Sequence, residues 1–357
     1  MDRLRVGLIG CGHIGTFHSR NIRGVVRSEL LPVDYVGVAD RDIARAREFA
    51  SITGAELVTA HAAELIESPG LGAVYICTET AEHPALVAAA AARGLAVFCE
   101  KPLATSLADV ERMLDAVTGA GVTNQVGLVL RSSPVFTVLK SMFEEEELGP
   151  LLSAHLRDDQ FFPIRGHYNS TWRGDVARAG GGTLLEHSIH DVDLFRWLFG
   201  EIRAVRCHTR NTAGHPGIED VALVTFQHVE GHQTSLTSIW HAVDERPSSR
   251  RLEVFFEGGW FATDHDFIGP ITYQLRSGPE RTLSSDDVFQ RYVDLTGLSE
   301  GEARLARAGM YADYRFLRSA AVGEPASPDF STARAAHQVL AACYASAASN
   351  GEMPLGV

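Results

Sequence analysis

The sequence predicts two domains: a doubly wound α/β domain with a parallel sheet, then an α+β domain with a large, mainly antiparallel open sheet. Three observations support this prediction. Short apolar strands alternate with helical patterns in the first third of the chain, a glycine-rich loop follows the first strand, and the later strands follow one another directly. Strand–helix alternation gives a parallel sheet with helices on both faces, whereas consecutive strands with short turns give an antiparallel sheet. We place the two domains at residues 1–125 and 126–357.

The glycine-rich loop begins directly after the first predicted strand, residues 5–9. It reads Gly10-Cys11-Gly12-His13-Ile14-Gly15. In this pattern the first glycine allows a tight turn, the second lets a pyrophosphate approach the backbone, and the third lets the next helix pack close to the strand. The N-terminus of that helix offers N–H groups and a positive dipole end to phosphates. The loop therefore indicates a dinucleotide-binding Rossmann domain.

The second predicted strand, residues 33–40, ends in an acidic residue. Asp40 follows Gly15 at about the spacing expected for the carboxylate that bonds the adenosine ribose hydroxyls. Its charge would repel a 2′-phosphate, so the expected cofactor is NAD rather than NADP. Arg41 leaves three readings open: it could hold a 2′-phosphate, stack on adenine, or be a solvated residue at a helix start. For Asp40 the plain alternative is a helix N-cap.

Lys101 follows a predicted strand of the first domain at 96–100. Because ligands of open parallel sheets bind beyond the carboxyl ends of the strands, Lys101 is placed where a nicotinamide ring would lie. The alternative is a surface lysine at a strand end. The Lys101–Pro102 bond can be cis, which would fix the direction of the lysine. Further strands are predicted at 73–77 and 124–129, and helices at 83–93 and 107–120, the latter with a capping box from Ser106 and Asp109.

The second domain is predicted to open with a helix at 134–147 and a strand at 151–161. A glycine run at 180–182 precedes an amphipathic helix that ends at Phe199. Five strands follow with short turns between them, at 202–209, 220–229, 233–242, 251–257 and 260–264. Two late helices, at 303–322 and 332–347, close the chain, and the last could pack back on the first domain. One face of such a sheet is often open, so we expect a homodimer or homotetramer formed through it.

Composition excludes several classes of protein. The chain has 357 residues and a net charge of −13, which argues against nucleic-acid and anionic-membrane partners. No signal peptide and no apolar run of about 18 residues is present, so neither export nor a membrane span is expected. The five cysteines are odd in number and include no C-x-x-C pair, which fits reduced thiols in the cytoplasm. Cys11, Cys77 and Cys99 lie in or beside apolar strands and are expected to be buried.

Several motifs together resemble one family. The Glu100-Lys101-Pro102 motif, with the N-terminal glycine loop, resembles the Gfo/Idh/MocA family of glucose–fructose oxidoreductase and inositol dehydrogenase. Thr78 and His83 match the family's stretch after its fourth strand. The matches continue in the family's entry to the second domain, Val126–Arg131, and in its cofactor- and substrate-facing loop, Trp172-Arg173 with Gly180–Leu185. Glu186 and His190 stand where the family usually has an aspartate and a histidine four residues apart, a spacing that puts both on one helical face.

The resemblance implies roles for individual residues. The implied catalytic residues are Lys101, Glu186 and His190. His190 would take the hydroxyl proton as general base, because the pKa of a histidine side chain ordinarily lies near neutral, and Lys101 would polarise the substrate oxygen. Glu186, a glutamate in place of the usual aspartate, would orient His190 or bond a neighbouring substrate hydroxyl. The plain alternative for Glu186 and His190 is a surface ion pair.

The resemblance also implies two sets of contacts. Cofactor contacts are expected from Gly10, Gly12, His13, Ile14, Gly15, Asp40, Arg41, Thr78, His83, Glu100, Lys101, Gln125, Trp172 and Arg173. Substrate contacts are expected from Lys101, Arg131, Glu186, His187, His190 and His241, the last being equally consistent with a plain histidine at a strand end. His187 and His190 with Asp191 and Asp193 also suggest a metal site. No third ligand has an obvious spacing and the resembled family works largely without metal, so no metal is expected.

The function implied is an NAD-dependent dehydrogenase that oxidises a secondary hydroxyl of a sugar or an inositol-like cyclitol to a ketone, reversibly. One alternative is an NAD-using lyase or glycosidase that oxidises its substrate transiently and shows no net redox change. Another is a non-catalytic sugar-sensing regulator. Such a regulator would be expected to have lost Lys101 or His190, and both are present.

Overall fold

The computed structural model describes residues 3–166 and 168–356, which form two compact units. The first unit comprises the chain up to Leu128 together with Ser299–Arg334. The second comprises Val129–Leu298 and the chain from Ala335 onward. The predicted boundary near residue 125 lies close to the observed one. The assignment of all later residues to the second domain is wrong, because residues 299–334 belong to the first unit.

The first unit contains a six-stranded parallel sheet in the order β3-β2-β1-β4-β5-β6. Its strands are β1 (Leu4–Ile9), β2 (Val33–Ala39), β3 (Leu57–Thr59), β4 (Ala73–Ile76), β5 (Ala96–Cys99) and β6 (Asn124–Val126). This order reverses direction between β1 and β4, which is the switch point where open parallel sheets bind ligands. β3 was not predicted, because its three residues are too few to show a pattern. All residues of β4 and β5 are buried, as expected for strands covered on both faces.

Helices connect these strands. They are α1 (His13–Ser28), α2 (Ile43–Thr53), α3 (Ala62–Ile66), α4 (His83–Ala92) and α5 (Leu107–Ala120). The hydroxyl of Ser106 caps α5 by accepting from the backbone N–H of Asp109, and it also donates to the Asp109 carboxylate. Of the predicted capping box, the bond from the Asp109 backbone N–H to the Ser106 hydroxyl is therefore present. Cys11 and Cys77 lie in the buried core of this unit, and all five cysteines of the chain are buried free thiols.

The second unit is built on a nine-stranded mixed sheet in the order β14-β13-β12-β11-β7-β10-β9-β8-β15. Among the described strands of this nine-stranded sheet, only β7 and β10 pair in parallel. The strands are β7 (Leu151–Phe161), β8 (Ile202–Arg210), β9 (Val221–His228), β10 (Gln233–His241), β11 (Ser249–Phe256), β12 (Gly259–Thr263), β13 (Ile271–Leu275), β14 (Arg281–Leu283) and β15 (Met353–Pro354). Burial alternates along β9 and β10, so one face is covered and the other is open.

The remaining helices are α6 (Pro134–Glu145), α7 (Val176–Ala179), α8 (Thr183–Glu186), α9 (Ile189–Phe199), α10 (Ser285–Thr296), α11 (Glu300–Arg307), α12 (Tyr311–Val322) and α13 (Phe330–Ser349). The single helix predicted up to Phe199 is wrong: the chain breaks between α8 and α9, where the Ser188 hydroxyl turns to bond Ser238. The helix predicted at 303–322 is likewise two, because Gly309 adopts a positive φ of 74° between them.

The two late segments divide between the units. Helices α11 and α12 contribute Leu305, Phe316 and Leu317 to the core around β1, which explains why residues 299–334 belong to the first unit. From Ala335 onward α13 belongs to the second unit, where Tyr344 bonds Glu219 and Ser346 bonds the backbone of Cys207. The first turn of α13 belongs to the first unit, where Arg334 lies 3.6 Å from Glu111 of α5. None of the helices in the described residues is long and apolar enough to cross a bilayer.

Candidate active site

The glycine loop of the first unit has the geometry that its sequence predicts. Gly10 has a φ of 98°, and a Cβ there would lie 2.5 Å from the carbonyl oxygen of Cys77. A Cβ at Gly15 would overlap the carbonyl oxygen of Gly10, so only glycine lets α1 pack this close. At Gly12 a Cβ would meet no described atom within 4 Å, and no side chain of the described residues caps α1. The loop thus leaves open space beside a helix N-terminus, as a pyrophosphate requires.

Asp40 ties this loop to the end of β2. Its carboxylate accepts from the backbone N–H of Cys11 at 2.8 Å and from that of Asp42 at 2.9 Å. The N-cap of α2 is Asp42, whose carboxylate accepts from Ala44 and Arg45, so the N-cap alternative for Asp40 is wrong. An ionised carboxylate has about four acceptor positions, which leaves lone pairs of Asp40 for ribose hydroxyls.

Arg41 is held by acidic neighbours. Its guanidinium pairs with Glu79 and lies 3.6 Å from Glu82, while two-thirds of the side chain stays exposed. Arg41 is therefore largely exposed, but its guanidinium is already paired with a carboxylate. With Asp40, Glu79 and Glu82 at this corner, the local charge disfavours a 2′-phosphate.

The turn after β5 presents Lys101. The Lys101–Pro102 bond is cis, and the backbone N–H of Lys101 donates to Glu100 Oε2 at 3.0 Å. The ring of His83 brackets this turn: Nδ1 lies 3.0 Å from the carbonyl oxygen of Pro102, and Nε2 lies 3.2 Å from that of Thr78. Lys101 itself is half-buried.

Three predicted cofactor contacts are buried and bonded to protein groups. His83 is 1% exposed, Glu100 is 6% exposed and Gln125 is 2% exposed, so these side chains offer almost no surface to a dinucleotide. His83 bonds backbone carbonyls as described, and Gln125 donates to the carbonyl oxygen of Ala312 at 3.3 Å. Glu100 accepts from His18 at 2.9 Å. Burial alone would raise the pKa of Glu100, but the bond and charge of His18 and the charge of Lys101 outweigh it and lower that pKa.

In the second unit the Arg173 guanidinium stacks on Trp172 and pairs with Glu186. The Arg173 guanidinium lies 4.4 Å from the centre of the Trp172 ring, and its Nε donates to Glu186 Oε2 at 2.9 Å. Glu186 is buried at the end of α8, whereas His190 lies in the first turn of α9. The expectation that one helical face carries both residues is wrong, because they lie on separate helices.

Glu219 organises the glycine run before α8. Its carboxylate accepts from the backbone N–H groups of Gly182 at 2.8 Å and Leu184 at 2.9 Å, and from the Tyr344 hydroxyl at 3.0 Å. A Cβ at Gly182 would overlap the backbone of Glu219, which explains the glycine there. Burial raises the pKa of Glu219, and these bonds offset part of that rise.

A buried charge cluster lies around Arg250 of β11, which we name the Arg250 cluster. The guanidinium donates to Asp191 at 2.6 Å, to Asp266 at 2.8 Å and to Asp158 at 2.9 Å, and is itself 5% exposed. His187 Nε2 lies 2.9 Å from Asp158. Burial alone would raise the pKa of Asp158, but the charges of Arg250 and His187 outweigh burial and lower that pKa. Burial and the neighbouring Asp158 raise the pKa of Asp191.

The other predicted substrate residues are already engaged. Arg131 makes a two-bond pair with Asp193, at 2.8 and 2.7 Å, so its direct substrate contact is not supported. His241 ends β10, where its Nδ1 accepts from the Val243 N–H at 3.2 Å and its Nε2 lies 3.5 Å from Asp159. Asp191 and Asp193 are committed to arginines, and the described residues contain no group of three or more potential metal ligands.

Sequence reasoning missed four buried residues: His18 and Asp313 of the first unit, and Asp158 and Arg250 of the second. A signal for His18 exists, because it follows Gly15 and precedes Ile22 and Val25 on the buried face of α1. For Asp158 and Arg250 the signal is a charged residue at an inward position of an alternating strand. Asp313 had no such signal, because it comes from the late segment whose domain was wrongly assigned.

Comparisons with known proteins agree with this geometry. A family model described as "Oxidoreductase family, NAD-binding Rossmann fold" matches residues 4–128, and that of the GFO/IDH/MocA C-terminal domain matches residues 136–262. The two matches cover more than half of the chain. The chain belongs to the Gfo/Idh/MocA family. It is an NAD-binding oxidoreductase, as the motifs of the glycine loop and the Glu100-Lys101-Pro102 turn predict.

Relatives within the Gfo/Idh/MocA family include curated proteins and solved structures. The uncharacterized oxidoreductase YrbE of Bacillus subtilis is 30% identical over 297 residues, which cover 81% of this chain and 82% of that one. Myo-inositol 2-dehydrogenase of Thermotoga maritima is 34% identical over 200 residues, 56% of this chain and 55% of that one. The structure of a levoglucosan dehydrogenase in complex with NADH and levoglucosan superposes with a TM-score of 0.86 over both full chains, at 22% identity. That likeness confirms the fold.

Proposed function

We propose that this oxidoreductase oxidises a secondary hydroxyl of a cyclitol or sugar to a ketone, reversibly. The observation that carries the proposal is Lys101, which lies in a turn held by Glu100 and His83 at the carboxyl end of β5, in the unit that bears the glycine loop. A relative named myo-inositol 2-dehydrogenase supports a polyhydroxylated ring as substrate.

The chemistry divides between two side chains. NAD, when bound, accepts the hydride that leaves the carbinol carbon. The Lys101 ammonium donates to the substrate oxygen and stabilises the negative charge that develops there as the O–H bond breaks. The His190 imidazole takes the hydroxyl proton, so the carbon–oxygen double bond forms as hydride and proton depart. In the reverse direction His190 returns the proton.

Glu186 also makes a contact that the sequence does not suggest, with Arg173. Because it pairs with Arg173, we propose that Glu186 fixes the Trp172–Arg173 turn. The stacked guanidinium and indole then present a rigid polar and aromatic surface, suited to a sugar ring or to the nicotinamide amide.

The test is a substrate panel. Purified enzyme with NAD is incubated with inositol isomers, aldoses and anhydrosugars, and NADH absorbance and the carbonyl product are followed. We expect NADH and ketone to form in equal amounts with at least one compound. The same panel with NADP should give a much slower reaction. Bond cleavage without NADH would contradict the proposal and indicate transient oxidation. Tight NAD binding with no reaction of any compound would indicate a sensor.

We also propose that two copies pair through the open face of the nine-stranded sheet. This face carries exposed apolar side chains on separate strands, Leu223 of β9 and Phe255 of β11. The wild-type protein should sediment at twice its 38.7 kDa chain mass or more, and Leu223→Glu should shift it to the monomer mass. Leu295→Glu, at an exposed leucine of α10, is the matched control and should leave the mass unchanged. A monomeric wild type would overturn the proposal.

A further inference from the structure

A buried histidine that the proposed chemistry does not use lies behind the Lys101 turn. His18, on α1, is 1% exposed. Its Nδ1 lies 2.6 Å from Asp313 Oδ1 on α12, and its Nε2 lies 2.9 Å from Glu100 Oε1. A carboxylate is an acceptor, and only the imidazolium form of histidine carries a proton on both ring nitrogens. The two contacts together therefore fit a charged ring between two carboxylates.

The contacts continue from His18 to Lys101. The other oxygen of Glu100, Oε2, accepts the backbone N–H of Lys101 at 3.0 Å. On the far side, Asn21 donates to Asp313 at 2.7 Å and fixes that carboxylate. We propose that His18 is a positioning residue for Lys101: a permanently charged imidazolium that locks Glu100 and, through it, the backbone of the lysine. The importance of this lock for turnover rests on the proposed function, whereas the lock itself does not.

Charge supports the same arrangement. Burial alone would lower the pKa of His18, but the charges of Asp313 and Glu100 and its bonds to them outweigh burial and raise the pKa to about 10. The other titratable groups packed nearby are Tyr75, whose ring centre is 5.5 Å from that of His18, and Cys77. Burial raises the pKa of both well above the usual range, so neither changes charge near neutral pH.

The raised pKa of His18 sets the direction in which stability changes with pH. Because the folded-state pKa of His18 lies above the value of about 6.5 in an unfolded chain, its protonation stabilises the fold fully below pH 6.5. That stabilisation is lost as the pH rises towards 10. We expect the melting-temperature difference between wild type and His18→Gln to be largest near pH 6 and to shrink towards pH 10.

The composition of the chain offers a direct probe of the lock. Lys101 and Lys140 are the only lysines in the sequence. Protein labelled with [15N]lysine therefore gives two backbone amide signals, and Lys140→Arg assigns them. Lys140 lies on α6 in the second unit and serves as the internal control. The Lys101 signal should not titrate between pH 6 and 9. A titration with a midpoint near 6.5 would show a neutral histidine and overturn the proposal.

Matched substitutions separate positioning from simple packing. The amide nitrogen of Gln reaches the place of Nε2, facing Glu100, whereas that of Asn reaches the place of Nδ1, facing Asp313. We expect His18→Asn to shift the Lys101 signal and His18→Gln to shift it much less, with the Lys140 signal constant in both. If His18→Asn does not fold, Glu100→Gln tests the same link, since its one acceptor oxygen cannot serve both donors. An unchanged Lys101 signal in these variants would overturn the proposal.

The kinetic test uses a substrate identified by the panel. His18→Asn should lower kcat by up to about 100-fold, the loss typical of a small misplacement of a reacting group, with the NAD dissociation constant nearly unchanged. His18→Gln should recover part of that loss. If both variants lost kcat equally, and each loss matched the variant's loss of stability, the role of His18 would be merely structural. If no compound reacts with the wild type, the proposed function fails while the amide signals still decide the lock.

Discussion

Replacing Lys101 with methionine should lower kcat by about 100- to 1,000-fold, the loss typical of removing one group that stabilises a developing oxyanion. Methionine keeps the length and apolar stem of the side chain but cannot donate a hydrogen bond. The backbone N–H that bonds Glu100 is retained, so the turn should keep its shape. Steady-state NADH formation measures kcat, and fluorescence titration measures the NAD dissociation constant, which should change little.

The chain supplies its own control for this substitution. Lys140→Met removes the other lysine, which pairs with Glu144 on α6, and should leave kcat at the wild-type value. His190→Asn should cost about 100- to 10,000-fold, because it removes the proposed general base. If both residues act on one hydroxyl, the double variant should lose much less than the product of the two single losses. Wild-type kcat in Lys101→Met would refute the proposed role of Lys101.

Replacing Arg250 with methionine should destabilise the protein by about 3–5 kcal/mol, the cost of removing one partner from a buried ion pair. Arg250 donates to three carboxyl groups, and two of them, Asp158 and Asp191, are buried. Without the guanidinium the buried Asp158 carboxylate loses the main charge that compensates its burial. Urea unfolding at pH 7, followed by circular dichroism, measures the change in the free energy of unfolding.

The neighbouring residue provides the matched control. Arg251→Met removes an exposed arginine whose pair with Glu253 lies at the surface, so stability should change by less than about 1 kcal/mol. Within the cluster, Asp191→Asn should be milder than Asp158→Asn, because burial and Asp158 raise the pKa of Asp191 and favour its neutral form. Equal unfolding free energies for Arg250→Met and Arg251→Met would show that the Arg250 cluster does not stabilise the unit.

The parts predicted well from sequence are those with local physical causes. Strand β7 and helix α5 have the predicted bounds, since alternation and a serine cap are visible in a short window. The roles of Gly10 and Gly15 follow from the tight turn and the close approach of α1. The break at Ser188 escaped prediction because the hydroxyl that turns the chain bonds Ser238, fifty residues away.

The protein partners of several candidate site residues escaped prediction for the same reason. Glu100, His83 and Gln125 were assigned to the cofactor because motif matching gives position without burial. Their actual partners, His18, Pro102 and Ala312, are contributed by other elements of the same unit. Arg131 resembled a substrate contact until its pair with Asp193 was known. Whether a polar side chain meets ligand or protein depends on tertiary contacts.

The return of residues 299–334 to the first unit has a consequence for synthesis. A nascent chain that has just delivered Leu128 already carries all six strands of the parallel sheet, but it lacks Leu305, Phe316 and Leu317, which complete the core around β1. It also lacks Asp313, so His18 emerges without one of its two carboxylates. The nucleotide-binding unit therefore cannot finish folding on the ribosome until residues 299–334 have been translated.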